Sequence, residues 1–220
     1  NVSNAAAAAA TAAALGAPGA AIAEGLGALP RVPGRFELVD EGQDFSVVVD
    51  YAHTPDSLAR VLSAARELAG PGLRRGSGHG RVIAVFGCGG DRDRGKRPLM
   101  GRAAAGAADL VFVTSDNPRG EPPEAIIAEV EEGIAPCPPA LGYRLVPDRA
   151  EAISEAIAHA RPGDVVVIAG KGHETTQSFS DRMVDFDDTL VAAAALQRIA
   201  AGGDPGRAPR SRLAASDGSR

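Results

Sequence analysis

From residue 45 onward the apolar positions gather into short, regularly spaced runs. FSVVVD (45–50), RVIAVF (81–86), DLVFVT (109–114) and DVVVIA (164–169) are blocks rich in β-branched and aromatic residues. Bounded by polar residues or glycine, they take the form of strands buried on both faces of a parallel sheet. Between them the period becomes helical. Leu58, Val61, Leu62 and Ala65 share one face of a helix opened by Pro55 and Asp56 and running through Leu68. Further helices are expected over 95–107, 122–134 (with an acidic face), 148–160 and 187–200, and a short strand over 143–146. Strand, loop and helix in repetition predict an α/β fold, a doubly wound and mostly parallel sheet.

The ends of the chain read differently. Residues 1–15 are Ala-rich and helical by composition, stopping at Gly16 and Pro18-Gly19. A turn-rich passage with Gly25, Gly27, Pro30, Pro33 and Gly34 follows and is read as a domain boundary. The first residue is Asn1, already within the helical stretch, so the chain is read as a piece of a longer protein. Residues 202–220 lack periodicity and are expected to be a disordered tail.

Composition narrows the function. At 45% hydrophobic and 23% charged residues, 220 residues suffice for a real core. A net charge of −5 disfavours a nucleic-acid scaffold and a polybasic membrane anchor. Two cysteines allow neither a disulfide framework nor a four-Cys zinc site. No apolar run reaches the roughly 18 residues that a spanning helix needs. His79 and His159 have no second ligand at metal spacing, and no metal site is expected in this chain. The expectation is a soluble, cytoplasmic monomer with small-molecule partners.

Doubly wound sheets bind ligands at the carboxyl ends of their strands, and those exits are rich in chemistry here. Asp50-Tyr51-Ala52-His53-Thr54 follows the first long run, with helix capping as the plain alternative for Asp50 and Thr54. After the second, Gly90, Gly95 and Lys96 match a phosphate-binding loop. However, Arg97 stands where Ser or Thr must ligate magnesium, and Asp91 and Asp93 would oppose phosphate. That loop is therefore rejected as the ATP site, while Arg92 offers a planar fork to a carboxylate. Cys88 is read as a small buried filler rather than a nucleophile. After the third run, Asp116, Asn117, Pro118 and Arg119 form a rigid turn with groups suited to a zwitterion. After the last come Gly170, Lys171, Gly172, His173 and Glu174. A free-standing binding module for a nucleotide or an amino acid is the competing class.

Taken in order, NVSN (1–4), GRFE (34–37), DYAHTPDSL (50–58), VFGCGGDRDRGKRPLMG (85–101), SDNPR (115–119) and IAGKGHETTQ (168–177) resemble the ATP-dependent Mur ligases of peptidoglycan synthesis. Within that family they are most similar to the branch that adds meso-diaminopimelate. The resemblance implies that residues 1–32 are the end of a central, P-loop ATP-binding domain. Residues 33–201 would be a Rossmann-like C-terminal domain that receives the amino acid. It also implies that Asn1, Asn4, Arg35, Asp50 and His53 face ATP. Arg92, Asp116, Asn117, Pro118, Arg119, Gly170 and Glu174 would hold diaminopimelate. The nucleotide partner would be UDP-N-acetylmuramoyl dipeptide, with most Mg2+ ligands upstream of residue 1. Catalysis would run through an acyl-phosphate, by positioning rather than covalent chemistry. Ser115 departs from the second Asp that many relatives carry. The lysine-adding branch is disfavoured by Arg119.

Overall fold

The computed structural model describes residues 2–28, 32–69 and 80–202. His79 and the expected tail, residue 202 apart, lie outside them. The chain divides into two units, residues 1–32 and 33–220. In the first, α1 (Val2–Ala14) and α2 (Gly19–Gly27) line a shallow apolar groove with Ala8, Ala12, Ala21 and Ile22. The sequence reading placed a turn-rich passage where α2 forms. Pro18 occupies its N-cap, and the helix-forming run Ala20–Glu24 outweighs the glycines at its ends.

The second unit opens with β1 (Glu37–Val39) and β2 (Ser46–Asp50), followed by α3 (Pro55–Leu68). Next come β3 (Val82–Cys88), α4 (Lys96–Ala107), β4 (Leu110–Ser115), α5 (Pro123–Ile134) and β5 (Tyr143–Leu145). The chain continues through α6 (Arg149–His159), β6 (Val165–Ala169), β7 (Thr176–Ser178), β8 (Met183–Asp185) and α7 (Asp188–Ala200). Six strands form one sheet in the order β1-β2-β6-β3-β4-β5, parallel except for β1. The doubly wound, mostly parallel expectation therefore holds.

The continuous apolar runs follow from burial on both faces. Along β3, Val82, Ala84, Phe86 and Cys88 join the layer under α3, α4 and α5, which contains Leu58, Leu62, Met100, Val130 and Ile134. Ile83 and Val85 point the other way, into a layer with Phe112, Ile153, Ile157, Ala192 and Leu196. Each buried Val, Leu, Ile, Phe or Met of these layers contributes about 1.5–3 kcal/mol by leaving water. The helices are capped locally. Thr54 Oγ1 accepts from Ser57 N at 3.2 Å while Thr54 N donates to Ser57 Oγ at 3.0 Å, opening α3. Asp148 and Asp187 cap α6 and α7.

Three short strands also escaped the sequence reading. β1 is a three-residue antiparallel edge strand, and β7 and β8 form a separate hairpin. All three are too short and too polar for a period of two to stand out. That hairpin matters, because it docks on the turn after β4.

Candidate functional site

The parallel register brings four strand exits to one edge. Asp50 lies opposite Ala169, and Cys88 opposite Ser115, with β6 and β3 side by side between them. The turn after β4 is built from inside. Ser115 is buried, and its Oγ donates to the Pro147 carbonyl at 2.6 Å. The Asp116 carbonyl accepts from Gln177 Nε2 at 2.8 Å. Asn117 Oδ1 accepts from Ser178 N at 3.0 Å, and Arg119 N donates to the Ser178 carbonyl at 2.9 Å. The hairpin thus holds the turn through its own backbone.

Asn117, Lys171 and Glu174 form a closed triangle. Asn117 Nδ2 donates to Glu174 Oε2 at 2.9 Å, and Lys171 Nζ donates to the same oxygen at 3.2 Å and to Asn117 Oδ1 at 3.2 Å. Lys171 is fully buried, whereas the Glu174 side chain keeps 35% exposure at the surface of the site. Gly170, at φ 117°, lets Asp116 approach. A Cβ there would stand 2.8 Å from Asp116 Oδ2.

The Arg119 guanidinium and the stem of Arg92 approach Gly89. A Cβ on Gly89 would lie 2.9 Å from Arg119 Nη1 and 3.5 Å from Arg92 Cγ. Arg119 sits in the left-handed region at φ 52°, and its Nη1 donates to the Gly90 carbonyl at 2.9 Å. Arg92 is exposed, and its guanidinium has no hydrogen-bond partner among the described residues. Beneath them, Arg97 is completely buried and donates to Glu121, Glu129 and the Gly89 carbonyl. Hydrogen bonds from Arg97, then from Asp91 N, hold the Glu121 carboxyl down at about 2. Burial pushes the Cys88 thiol up to about 12, which agrees with a filler role.

The loop that was rejected as the ATP site spends several of its donors on its own neighbours. Gly90 N donates to the Asn117 carbonyl, Asp91 N to Glu121 and Gly95 N to Asp93. Lys96 Nζ reaches the His53 carbonyl at 3.1 Å. Three of the loop's backbone donors and the Lys96 ammonium are thus engaged within the protein.

A second group flanks the first. Arg35 stacks its guanidinium 4.8 Å from the centre of the Tyr51 ring. Tyr51 also meets His53 edge-on at 4.8 Å and His173 at 5.5 Å. His53 is exposed, with Nδ1 donating to the Tyr51 carbonyl at 2.9 Å. Asp50 does not cap α3: its two oxygens accept from Phe36 N and Ala52 N, both at 2.8 Å. It shapes the entry loop, where Phe36 sits at φ 50°. Asn4 is exposed on α1 in the first unit, and Asn1 lies outside the described residues.

The structure therefore joins Arg92, Asp116, Asn117, Pro118, Arg119, Gly170 and Glu174 at one edge and places Arg35, Asp50 and His53 beside one another. The sequence reading named Tyr51 and Lys171 at strand exits without a ligand role, and left Arg97, Arg149 and Gln177 out of the site. For Lys171 the signal was a single cation between two glycines at a buried strand exit.

Fold and site define an α/β domain with charged side chains gathered at the carboxyl edge of a doubly wound sheet. The chain belongs to the Mur ligase family: the family model described as "Mur ligase, glutamate ligase domain" matches residues 34–172. It is 56% identical over 166 residues to the UDP-N-acetylmuramoyl-L-alanyl-D-glutamate–2,6-diaminopimelate ligase of Syntrophomonas wolfei, covering 76% of this chain and 32% of that protein. The enzyme of the same name from Solibacter usitatus is 51% identical over 197 residues, covering 90% and 38%. The chain thus spans about a third of the length of these relatives. A solved structure of a ligase of that name superimposes with a TM-score of 0.66 at 40% identity, covering 86% of this chain and 37% of the other. The UDP-N-acetylmuramate–alanine ligase of Thermotoga maritima shares the fold at 20% identity and a TM-score of 0.63, covering 92% and 38%. No helix among the described residues is long and apolar enough to cross a membrane.

Proposed function

We propose that this chain is the amino-acid-receiving part of a cytoplasmic, monomeric, ATP-dependent ligase. The reaction joins meso-2,6-diaminopimelate to the D-glutamate of UDP-N-acetylmuramoyl-L-alanyl-D-glutamate. Residues 33–201 are read as the amino-acid-binding ligase domain, and residues 1–32 as the end of the ATP-binding domain. The observation that carries this is that both signs of charge gather at one edge. Arg119 Nη1 and the stem of Arg92 approach Gly89, while Asp116 and Glu174 stand beside Gly170 and Asn117.

Diaminopimelate ends distally in both a carboxylate and an ammonium. The two guanidiniums are suited to the first, and Glu174 to the second. Lysine lacks the distal carboxylate and would leave the arginines unmet. That loss is about 1–3 kcal/mol where water is excluded, a preference on the order of tenfold to a hundredfold. Asn117, Pro118 and Gly170 set the shape of the pocket.

Arg35 and His53, with Tyr51, suit the ribose and phosphates of ATP, and Asp50 holds the loop that presents them. Mg2+, held mainly by residues of the preceding domain, would supply charge neutralisation at the phosphates. ATP phosphorylates the D-glutamate γ-carboxylate, the diaminopimelate amine displaces phosphate, and an amide, ADP and phosphate result. This chain orients the amine and removes it from bulk water.

The test is amino-acid-dependent ADP release by the full-length protein with the UDP-sugar dipeptide and either meso-diaminopimelate or L-lysine. Release with diaminopimelate alone is expected. Release with lysine instead would overturn the pocket assignment, and release with neither would favour a binding module.

A further inference from the structure

We propose that Lys171 is the positioning residue of the amino-acid pocket, meeting no ligand itself but deciding which atoms of Asn117 and Glu174 do. The inference rests on the reading of this edge as a diaminopimelate pocket.

An ammonium group has three N–H donors. Lys171 Nζ has three acceptors in the protein: Asn117 Oδ1 at 3.2 Å, Glu174 Oε2 at 3.2 Å and the Thr176 carbonyl at 2.6 Å. Its side chain is 0% exposed. No donor is left for a substrate, and no path leads to one.

The consequences fall on its neighbours. Asn117 Oδ1 lies between two donors, Lys171 Nζ and Ser178 N. Turning the amide over would set its NH2 group against both, so only one orientation is stable. That orientation aims Nδ2 at Glu174 Oε2. With donors from Asn117 and Lys171, Oε2 is engaged, and Oε1 is the oxygen left to face a ligand. Glu174 sits on the loop between β6 and β7, where an untethered carboxylate would sample several rotamers. Lys171 removes that freedom before the substrate arrives. The third bond, to Thr176, ties the same cation to the strand whose Ser178 supports Asn117.

The experiment uses the full-length ligase with Lys171→Met, which fills similar space without charge or donors. Two substrates are compared: meso-diaminopimelate and 2-aminopimelate, which keeps both carboxylates and the attacking amine but lacks the distal ammonium. Wild type is expected to prefer diaminopimelate at least tenfold in kcat/KM. In Lys171→Met, KM for diaminopimelate should rise at least tenfold, KM for ATP should change less than twofold, and the preference should fall to near one. Glu174→Gln should lose the same preference, and the double variant should be no worse than either single. A folded Lys171→Met that keeps the preference overturns the proposal. So do losses that multiply in the double variant, as expected of a residue that merely supports the fold. If Lys171→Met fails to fold, Lys171→Ala, in which water can fill the vacated space, takes its place and is read in the same way. Absence of diaminopimelate ligation by wild type is a different result, since it removes the functional reading itself.

Discussion

Arg149 and Asp188 form an ion pair in which neither side chain is exposed, with Nη2 2.7 Å from Oδ2 and Nε 2.8 Å from Oδ1. The same guanidinium donates to the carbonyls of Ser115 at 3.2 Å and Ala169 at 3.0 Å. Those are the last residues of β4 and β6, the strands on either side of β3. One cation from the start of α6 therefore ties together the exits that carry Asp116-Asn117 and Gly170-Lys171.

Removing the carboxylate would strand a buried guanidinium. Asp188→Ala is expected to cost about 3–5 kcal/mol, because no water replaces the lost partner. Urea unfolding of the chain followed by circular dichroism measures it. A loss below about 1 kcal/mol would show that the pair is not the tie described.

The strands and long helices were legible because burial on both faces leaves an uninterrupted apolar run, as in Val82–Phe86, and one-face burial leaves a helical stripe, as in α3. The exits were legible because Arg92, Asp116, Arg119 and Glu174 are costly groups to place at a strand end without a use. The supports beneath them were not. Arg97, Arg149 and Lys171 look like surface cations in sequence, and only the long-range pairs with Glu121, Asp188 and Glu174 take them inside. Those partners are 24, 39 and 3 residues away, so only the last lay within a local pattern.

The two cysteines should separate by reactivity. Cys88 is 3% exposed and its thiol is raised to about 12, while Cys137 is exposed. Iodoacetamide at pH 8 should modify Cys137 in the folded chain and Cys88 only after denaturation, because the thiolate is the nucleophile. Peptide mass spectrometry reads the outcome. Labelling of Cys88 at a comparable rate under native conditions would contradict its place in the core.

Acid should loosen the loop that carries Arg92. Glu121 is lowered from 4.5 to about 2 by Arg97 and by Asp91 N, so the folded state holds its proton more weakly than the unfolded chain. Its contribution to stability is full above about 4.5 and is lost as pH falls from there toward 2. Thermal melts of the chain between pH 6 and 2 should show this decline. In Glu121→Gln the decline over that window should be shallower, and an identical pH dependence would remove Glu121 from the account.

Arg119 holds a left-handed backbone at φ 52° with a side chain other than glycine, and this separates its contribution to stability from its contribution to binding. The left-handed region costs an L residue about 1–2 kcal/mol. Glycine would relieve that strain, but its unfolded chain is freer, which returns about 0.4–1 kcal/mol. Both Arg119→Gly and Arg119→Ala lose the bond from Nη1 to the Gly90 carbonyl, so the comparison between them isolates the backbone. Glycine at 119 should therefore be more stable than alanine by about 0.5–1 kcal/mol, the difference of those two terms. In the full-length protein both variants should raise KM for diaminopimelate at least tenfold while leaving KM for ATP within twofold. That pattern marks a strained position kept for its guanidinium. Equal stability of the two variants would remove the strain, and an unchanged KM for diaminopimelate would remove Arg119 from the pocket, each without disturbing the other.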